Sequence, residues 1–166
     1  MTSLLDSLKF QKKLGHAELR GTSRNGGDSS CLTLSEEDIS NGLSGTTELR
    51  ADIVKYAVQF VGNPYVWGGT DLDNGADCSG FVQQVLAHFG INVPRASYMQ
   101  VNQGKTVAFN VLQPGDLIFY MRGARIGHVT MYIGNGKCVQ ARGHAYGICI
   151  TDFDYSTPYC AKNVID

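Results

Sequence analysis

Cys78 lies in the stretch "GADCSGFVQQVLAHFG", between an aspartate and a serine and just before an apolar run with helical spacing. Free N–H groups and aligned peptide dipoles at the start of a helix favour a negative charge. The pKa of a thiol there can fall from about 8.5 to about 3.5–7.5, and the thiolate is the reactive form. The position is suited to a nucleophile, but a cysteine before an apolar helix is more often a packed core thiol, so this stretch alone leaves both interpretations open.

A thiol nucleophile needs a base, and the sequence offers four histidines. His16 lies in the N-terminal region and His144 in the polar loop "RGHAYG". His88 follows about three helical turns after the thiol, roughly 15 Å away. His128 opens the strand-like "HVTMYIG", where a side chain can project over the first turn of a helix packed on the sheet. The pattern favours His128 as the base; the alternative is a surface histidine at a strand end.

A catalytic imidazole also needs a hydrogen-bond partner that fixes its tautomer and orientation. Gln140 lies in the middle of the strand-like "CVQAR". Its amide oxygen can accept a hydrogen bond from an imidazole N–H. We therefore expect Gln140 to be the third member of the site, with an exposed strand glutamine as the alternative.

The turn after the histidine strand tests this pairing. A two-residue turn at "NG" puts Gln140 on the face opposite His128, because side chains alternate along a strand. A three-residue loop, which pairs Ile133 with Lys137, puts both side chains on one face. We therefore predict a bulged three-residue turn with Gly136 at positive φ.

The surrounding pattern supplies the elements that position these residues. "TTELRADIVKYAVQFVG" predicts a capped helix, and the Gly-rich "NPYVWGGTDLDNGAD" predicts a loop. This loop lacks the Gly and Glu of a calcium-binding loop at the required positions. After residue 104 the apolar period changes to two, which predicts the successive strands "DLIFYM", "HVTMYIG", "KCVQARG" and "GICITDF", with "YCAKNVI" as another. Two helices followed by consecutive strands predict an α+β fold with an antiparallel sheet.

Residues 1–45 differ in pattern from the rest. Leu4, Leu5 and Leu8 can share one side of a short helix, and "GTSRNGGDSS" is typical of a flexible connector. We expect residues 1–45 to be a linker or the end of an upstream segment, partly flexible, and residues 46–166 to be the catalytic domain. The N-terminus lacks the continuous apolar run of a signal peptide. Either the protein stays inside, or a leader is missing from this sequence, or export uses another route.

Composition excludes several classes of function. A net charge of −1 gives no attraction to nucleic acid or to an anionic membrane, and no apolar run is long enough to span a bilayer. Five cysteines at irregular spacing do not form a disulfide framework, and the missing C-x-x-C and H-E-x-x-H patterns argue against a zinc site. Cys138, Cys149 and Cys160 lie in strand patterns, and we expect them to be structural.

Five motifs occur in order from about residue 50 onward: Y-x-W-G-G, D-C-S-G-F, P-R-x-S-x-x-Q, P-G-D-L, and G-H-V followed by G-N-G. Together they resemble the NlpC/P60 family of bacterial cell-wall cysteine peptidases. The resemblance implies a papain-like α+β fold in circularly rearranged order, with N-terminal helices packed on a central antiparallel sheet. It implies cleavage of peptidoglycan stem peptides between the γ-carboxyl of D-glutamate and a diamino acid, meso-diaminopimelate or lysine, with neither metal nor cofactor.

The resemblance also assigns roles to residues. It makes Cys78 the nucleophile and His128 the base, with Gln140 at a position where the family commonly has histidine. It places Tyr65 and the backbone N–H of Cys78 at the oxyanion. It lines the groove for the N-terminal side of the substrate with four further residues: Asp77, Ser79, Arg95 and Ser97.

Other interpretations of these groove residues remain open. Asp77 suits a free α-amine and Arg95 a carboxylate. Alternatively, Asp77 only caps the helix and Arg95 only lies on a solvated loop. Trp67 is expected to be core beneath its loop.

The resemblance implies an extracellular or cell-wall location. Family members often carry SH3-like or LysM wall-binding modules; residues 1–45 show no such module, so one would lie upstream. The alternative functions are an amidase or acyltransferase on the same scaffold, or a peptidoglycan-binding module that has lost catalysis.

Overall fold

A computed structural model describes residues 30–166 of the chain. The short helix predicted around Leu4–Leu8 and most of the predicted connector lie outside the described residues, as does His16. None of the helices in the described part has the length and apolar content needed to cross a bilayer.

Four α-helices and one 3-10 helix (Phe109–Val111) lie in the described part of the chain, and the first three α-helices begin at side-chain caps. The α-helices are α1 (Glu36–Gly42), α2 (Glu48–Val58), α3 (Cys78–His88) and the single turn α4 (Ser97–Gln100). Ser35, Thr47 and Asp77 each accept a hydrogen bond from a free backbone N–H in the first turn of α1, α2 and α3 respectively. The predicted helices α2 and α3 are confirmed, and α1 and α4 are additional.

The strands form one two-stranded and one six-stranded sheet. The small sheet pairs β1 (Thr70–Asp71) with β2 (Gly75–Ala76) inside the predicted loop. The large sheet contains β3 (Lys105–Val107), β4 (Leu117–Arg122), β5 (Arg125–Gly134), β6 (Lys137–Ala141), β7 (Ile148–Asp152) and β8 (Cys160–Asn163). Its order is β3-β8-β4-β5-β6-β7, and every neighbouring pair is antiparallel. The predicted α+β class with an antiparallel sheet is confirmed.

Helix α3 packs on one face of the large sheet, against β5 and β6. Its apolar stripe is fully buried: Phe81, Val82, Val85 and Leu86 are each 0% exposed. Alternate residues of the sheet, among them Val129, Met131 and Val139, complete this core. Burial of the stripe fixes the axis of α3, and so fixes where its first residue, Cys78, meets the sheet.

The packed unit begins before residue 46. Ile39 in α1 is only 3% exposed and joins the main core, as does Leu43. Further upstream, Leu32 forms an antiparallel bridge with Ile150 of β7. The packed unit therefore includes residues that the sequence pattern assigns to a linker.

The turn between β5 and β6 differs from the prediction in length. Gly134 pairs with Lys137, so the turn has two residues, and both have positive φ, 51° at Asn135 and 74° at Gly136. The predicted three-residue loop is wrong, while the positive φ at Gly136 is confirmed. A bulge in β5 at Ile133 then shifts the register by one residue.

The bulge gives the same register that a three-residue loop would have given. Tyr132 pairs with Cys138, and Met131 pairs with Val139. Continuing this alternation puts the side chains of His128 and Gln140 on one face of the sheet. The sequence pattern identifies the required register but not which of two local irregularities supplies it.

Candidate active site

The position of Cys78 depends on how α3 begins. Asp77 Oδ1 accepts a 2.8 Å hydrogen bond from the backbone N–H of Gly80, while Asp77 Oδ2 accepts from Gly68 N–H at 3.0 Å. Gly80 lies so close to the preceding loop that a Cβ there would be 2.2 Å from the carbonyl oxygen of Gly69. The cap and this close contact join the start of α3 to the Y-x-W-G-G loop.

The Cys78 thiol is surrounded by backbone N–H groups. Burial raises the pKa of this thiol, and the Asp77 carboxylate acts in the same direction. The nearby backbone N–H groups of Val129, Ser79 and Cys78 itself act in the opposite direction and favour its anion. Burial outweighs this effect, because the residue is only 8% exposed. The expectation that the helix start lowers the pKa of this thiol is therefore wrong as long as the imidazole of His128 is uncharged.

A chain of hydrogen bonds orients His128. His128 Nε2 lies 2.7 Å from Gln140 Oε1. Gln140 Nε2 donates to Thr151 Oγ1 at 2.8 Å, and that hydroxyl donates to the Asp152 carbonyl at 2.9 Å. Because a carbonyl only accepts, the direction of each bond is set from the Asp152 end. The amide oxygen therefore faces the imidazole, so Nε2 carries the proton and Nδ1 is left as a free base.

His128 is neutral at ordinary pH. Burial lowers its pKa to about 4, although the hydrogen bond to Gln140 acts in the opposite direction. The guanidinium groups of Arg122 and Arg142 lower it further. With the thiol pKa raised and the imidazole pKa lowered, the resting site holds a neutral thiol and a neutral imidazole.

The site lies where β5 and β6 separate. The regular pairing of these strands ends at Met131 and Val139. Beyond that point a hydrogen bond between the side chains of His128 and Gln140 bridges the gap, and the N–H of Val129 acts on the Cys78 thiol. The gap thus places the predicted nucleophile, Cys78, beside the backbone of Val129, which directly follows the predicted base, His128.

Tyr65 lies on the loop beside the thiol. Its backbone bridges Ala76, two residues before Cys78. Burial raises the pKa of the Tyr65 hydroxyl, and the nearby Cys78 and Asp77 add to this shift. The exposed ring of His144 packs against the edge or face of the Tyr65 ring at 4.9 Å, so the 142–147 loop also borders this side.

Three of the four predicted groove residues form one network. Arg95 makes a two-point ion pair with Asp77, with both N···O distances 2.9 Å. It also donates to Ser79 Oγ at 2.9 Å. Asp77 caps the helix but also pairs with Arg95, so the alternatives that Asp77 only caps the helix and that Arg95 only lies on a solvated loop are both wrong. The fourth predicted groove residue, Ser97, is buried and is the first residue of α4.

Two other expectations are settled by burial and by ring contacts. Trp67 is expected in the core, but it is 80% exposed, so this prediction is wrong. His88 stacks on Tyr56 at 3.9 Å, far along α3 from the thiol. A cavity of about 600 Å³ lies beside these two rings and shares no lining residue with the catalytic cluster.

The sequence pattern does not identify three contributors to the site: Thr151, the N–H of Val129, and Gly80. Thr151 acts through Gln140, and its part depends on the pairing of β6 with β7, which no local pattern reveals. The contribution of Val129 is from its backbone and leaves no trace in residue type. Gly80 is part of the D-C-S-G-F motif, but the sequence does not show why a glycine is needed there. The structure shows that the Gly69 carbonyl approaches too closely for a side chain. Among residues 30–166 no cluster of three or more His, Cys, Asp or Glu side chains is arranged to hold a metal.

Comparison with known proteins gives consistent results. The NlpC/P60 family model matches residues 62–165. The chain is 33% identical over 148 residues to the murein DD-endopeptidase MepS/murein LD-carboxypeptidase of Escherichia coli K12, covering 89% of this chain and 74% of that protein. It is 36% identical over 98 residues to the bifunctional muramidase/DL-endopeptidase CwlT of Bacillus subtilis, covering 57% of this chain and 30% of that protein.

A solved structure of an NlpC/P60 family protein from Bacillus cereus superposes with a TM-score of 0.68 at 26% identity, covering 87% of this chain and 53% of that one. The match to the family model includes Cys78, His128 and Gln140, and the superposition extends over most of the described fold. Both the predicted fold class and the resemblance drawn from the motifs are thereby confirmed: the chain belongs to the NlpC/P60 family.

Proposed function

We propose that this protein is a cysteine endopeptidase that hydrolyses the stem peptides of peptidoglycan. The observation that carries the proposal is the directed chain of hydrogen bonds from Asp152 through Thr151 and Gln140 to His128, which leaves Nδ1 as a base. A purely structural role does not require an oriented, neutral imidazole at His128 next in sequence to Val129, whose backbone N–H acts on the Cys78 thiol.

In the proposed mechanism the proton moves as the nucleophile attacks. Either charge alone is costly at this buried site, but transfer of the Cys78 proton to His128 Nδ1 creates both charges together. Opposite charges about 4 Å apart attract by about 4 kcal/mol at an effective dielectric of 20. The sulfur then attacks the peptide carbonyl, and His128 protonates the leaving amine.

The oxyanion is held by the N–H of Cys78, with the Tyr65 hydroxyl as a second donor. Both positions agree with the proximity of Tyr65 to the thiol. Water then cleaves the thioester, with His128 acting as base in this second step. Gln140 orients the imidazole but carries no charge, so it stabilises the imidazolium less than an ionisable partner would.

The proposed bond joins the γ-carboxyl of D-glutamate to a diamino acid, either meso-diaminopimelate or lysine. The name of the Bacillus relative, a DL-endopeptidase, favours this bond. The Escherichia relative is named a DD-endopeptidase and LD-carboxypeptidase, and it supports cleavage of the cross-link as a second candidate. Both candidates use the same nucleophile and base, and they differ only in how the peptide lies in the groove.

For the groove we propose that the Asp77–Arg95 network binds the N-terminal side of the substrate. Asp77 keeps its pKa below the ordinary range despite burial, because Arg95 and two backbone N–H groups bond its carboxylate. A substrate α-amine would find a carboxylate that is ionised and already held in position. Ser79 and Ser97 complete this proposed surface, and the location that follows from such a substrate is the cell wall or the extracellular space.

Digestion of purified peptidoglycan, followed by mass spectrometry of the muropeptides, tests the activity and the bond together. The proposed activity releases a new diamino-acid N-terminus from stem peptides, whereas the second candidate converts cross-linked dimers to monomers. An amidase would separate stem peptides from the glycan strands, and an acyltransferase would give new peptide bonds. Cys78→Ala should abolish every product while wall binding persists; unchanged lysis by this variant would refute a cysteine mechanism.

A further inference from the structure

A second pair of cysteines lies apart from the catalytic nucleophile. Cys31 is half-buried in the segment before α1, and Cys149 is buried in β7, 4% exposed. In the antiparallel bridge between Leu32 and Ile150, with a 2.7 Å N–H···O bond, Cys31 lies opposite Thr151, and Cys149 is its diagonal neighbour on the same face. Each of the two thiols shifts the pKa of the other: Cys149 lowers that of Cys31, and Cys31 raises that of Cys149. Both are free thiols in this structure.

Arg142 completes the cluster. Its guanidinium hydrogen-bonds the Cys31 thiol and lies 3.9 Å from the ring centroid of Tyr146 and 5.2 Å from that of Tyr155. These rings hold the positive charge beside the sulfurs. Cys149 in turn pairs directly with Gln140 across β6 and β7, so the cluster adjoins the strand that orients the imidazole.

We propose that Cys31 and Cys149 form a thiol–disulfide site that reacts with small disulfides of the glutathione class. An accessible thiol beside a cation, with a buried second thiol in contact, is the arrangement of a nucleophilic cysteine and its resolving partner. A disulfide needs the sulfurs to close to about 2.05 Å. Leu32 and Leu34 pack on the core beside the bridge, so closing the disulfide requires a local movement of the Cys31 backbone toward β7.

The exchange balances as two thiol–disulfide steps. The Cys31 thiolate attacks one sulfur of glutathione disulfide, the S–S bond breaks, and one glutathione thiolate leaves. The Cys149 sulfur then attacks Cys31 and expels the second glutathione, which takes up the Cys149 proton. Two protein thiols are oxidised and one glutathione disulfide is reduced to two glutathione thiols.

The hydrogen bond to Cys149 and the charge of Arg142 lower the pKa of Cys31 to about 7, against the opposing effect of burial. Burial raises the pKa of Cys160, which is similarly half-buried and serves as the matched control. At pH 7, iodoacetamide should therefore alkylate Cys31 about tenfold faster than Cys160.

The exchange is tested on the full chain with Cys78→Ala, so that the catalytic thiol does not compete. Incubation with glutathione disulfide should remove two of the four remaining thiols and give a Cys31–Cys149 cross-linked peptide on digestion and mass spectrometry. Cys160→Ser should leave this result unchanged, and Cys149→Ser should stop the reaction at glutathionylated Cys31.

Cys31→Ser changes a half-exposed residue and should preserve the fold while abolishing the cross-link. The proposal is overturned if glutathione stays on Cys31 with Cys149 intact, or if Cys160 reacts as fast as Cys31. The readouts are thiol counts and cross-linked peptides rather than hydrolysis, so this result is independent of the proposed peptidase activity.

Discussion

His128 and Gln140 are joined by a 2.7 Å hydrogen bond between strands whose regular backbone pairing has already ended. This side-chain hydrogen bond thus connects β5 and β6 beyond their last backbone pair. Because the strands separate there, the N–H of Val129 is available to the Cys78 sulfur rather than to β6. One local separation therefore accounts for both the orientation of the proposed base, His128, and the backbone environment of the proposed nucleophile, Cys78.

The orientation of the base depends on Thr151. In Thr151→Val the hydroxyl that accepts from Gln140 Nε2 is lost, and the amide can turn its NH₂ group toward His128. The imidazole would then favour the wrong tautomer. We expect kcat to fall about tenfold, corresponding to ~1.4 kcal/mol, with little change in KM.

Thr151→Ser is the matched control, because it keeps the hydroxyl and removes only a methyl group. It should retain most of the wild-type kcat. Steady-state kinetics on a defined stem peptide measures both variants, and equal kcat values for the valine and serine variants would show that the hydroxyl does not orient the site.

Activity should persist to unusually low pH. Protonation of His128 removes the base, and burial lowers its pKa from 6.5 to about 4. As the pH falls, kcat/KM should therefore hold down to about pH 5 and decline around pH 4. With an ordinary pKa of 6.5, activity at pH 5.5 would already be about one-tenth of its maximum.

The opposite limb follows from the thiol. Loss of the single proton that Cys78 and His128 share removes the acid needed by the leaving amine. Since burial raises the pKa of Cys78 above its ordinary value of 9.0, this decline should begin only in alkaline solution. The two limbs belong to the pair rather than to either residue. An acid limb centred near pH 6.5 in kcat/KM would contradict this description of the site.

Helices α2 and α3 and the position of Cys78 at the start of α3 are predictable from sequence because their signals are local. An apolar stripe of period 3.6, ended by Gly90, defines α3, and its N-terminal position marks Cys78. The base and its partner are also identified, but only with a correct assumption about register. A bulge at Ile133 produces that register, and a three-residue loop would have produced the same pairing.

Other features depend on contacts between distant segments. The ion pair of Arg95 with Asp77 joins a loop to a helix cap, and a sequence pattern gives no distance between them. Helix α1 is also not predictable from its own sequence, because it is short and polar and Ile39 is its only buried residue. Its cap and its packing on β5 stabilise it. The lowered thiol pKa was predicted from the helix terminus alone, and the burial that outweighs it is a property of the assembled fold.

Gly80 should tolerate no side chain. In Gly80→Ala the new Cβ would lie 2.2 Å from the Gly69 carbonyl oxygen and 3.0 Å from Asp77 Oδ1. Both neighbours belong to the structure that positions Cys78. We expect a loss of stability of about 1–3 kcal/mol, together with a fall in kcat as the Y-x-W-G-G loop is displaced.

Urea denaturation and kinetics of the folded variant separate these two effects. Gln84→Ala, on a half-buried position of the same helix, serves as the control and should change neither by much. Wild-type kcat in a folded Gly80→Ala protein would show that the contact between the loop and α3 does not position the nucleophile.

Arg50 should contribute to stability without contributing to catalysis. It is 1% exposed, donates to the Pro114 carbonyl at 2.8 Å, and pairs with the buried Asp116 at 3.0 Å and the exposed Asp166 at 2.8 Å. In Arg50→Met the Asp116 carboxylate loses its buried cation, which should cost about 3–5 kcal/mol in urea denaturation at neutral pH. Asp166→Asn, which breaks only the exposed pair, should cost under about 1 kcal/mol.

The pH dependence of the stability of Arg50→Met shows whether the loss comes from an unpaired buried charge on Asp116. Burial already raises the pKa of Asp116, and removal of the guanidinium raises it further. A carboxyl whose pKa is raised in the folded state binds a proton more readily there, so its unfavourable effect disappears as the pH falls below that pKa. The stability difference between wild type and Arg50→Met should therefore be smaller at pH 4.5 than at pH 7.5, and Arg50→Met with Asp116→Asn should recover part of the loss at pH 7.5. A difference that stays constant across this range would mean that the cost comes from lost packing of the Arg50 stem and not from an uncompensated buried charge.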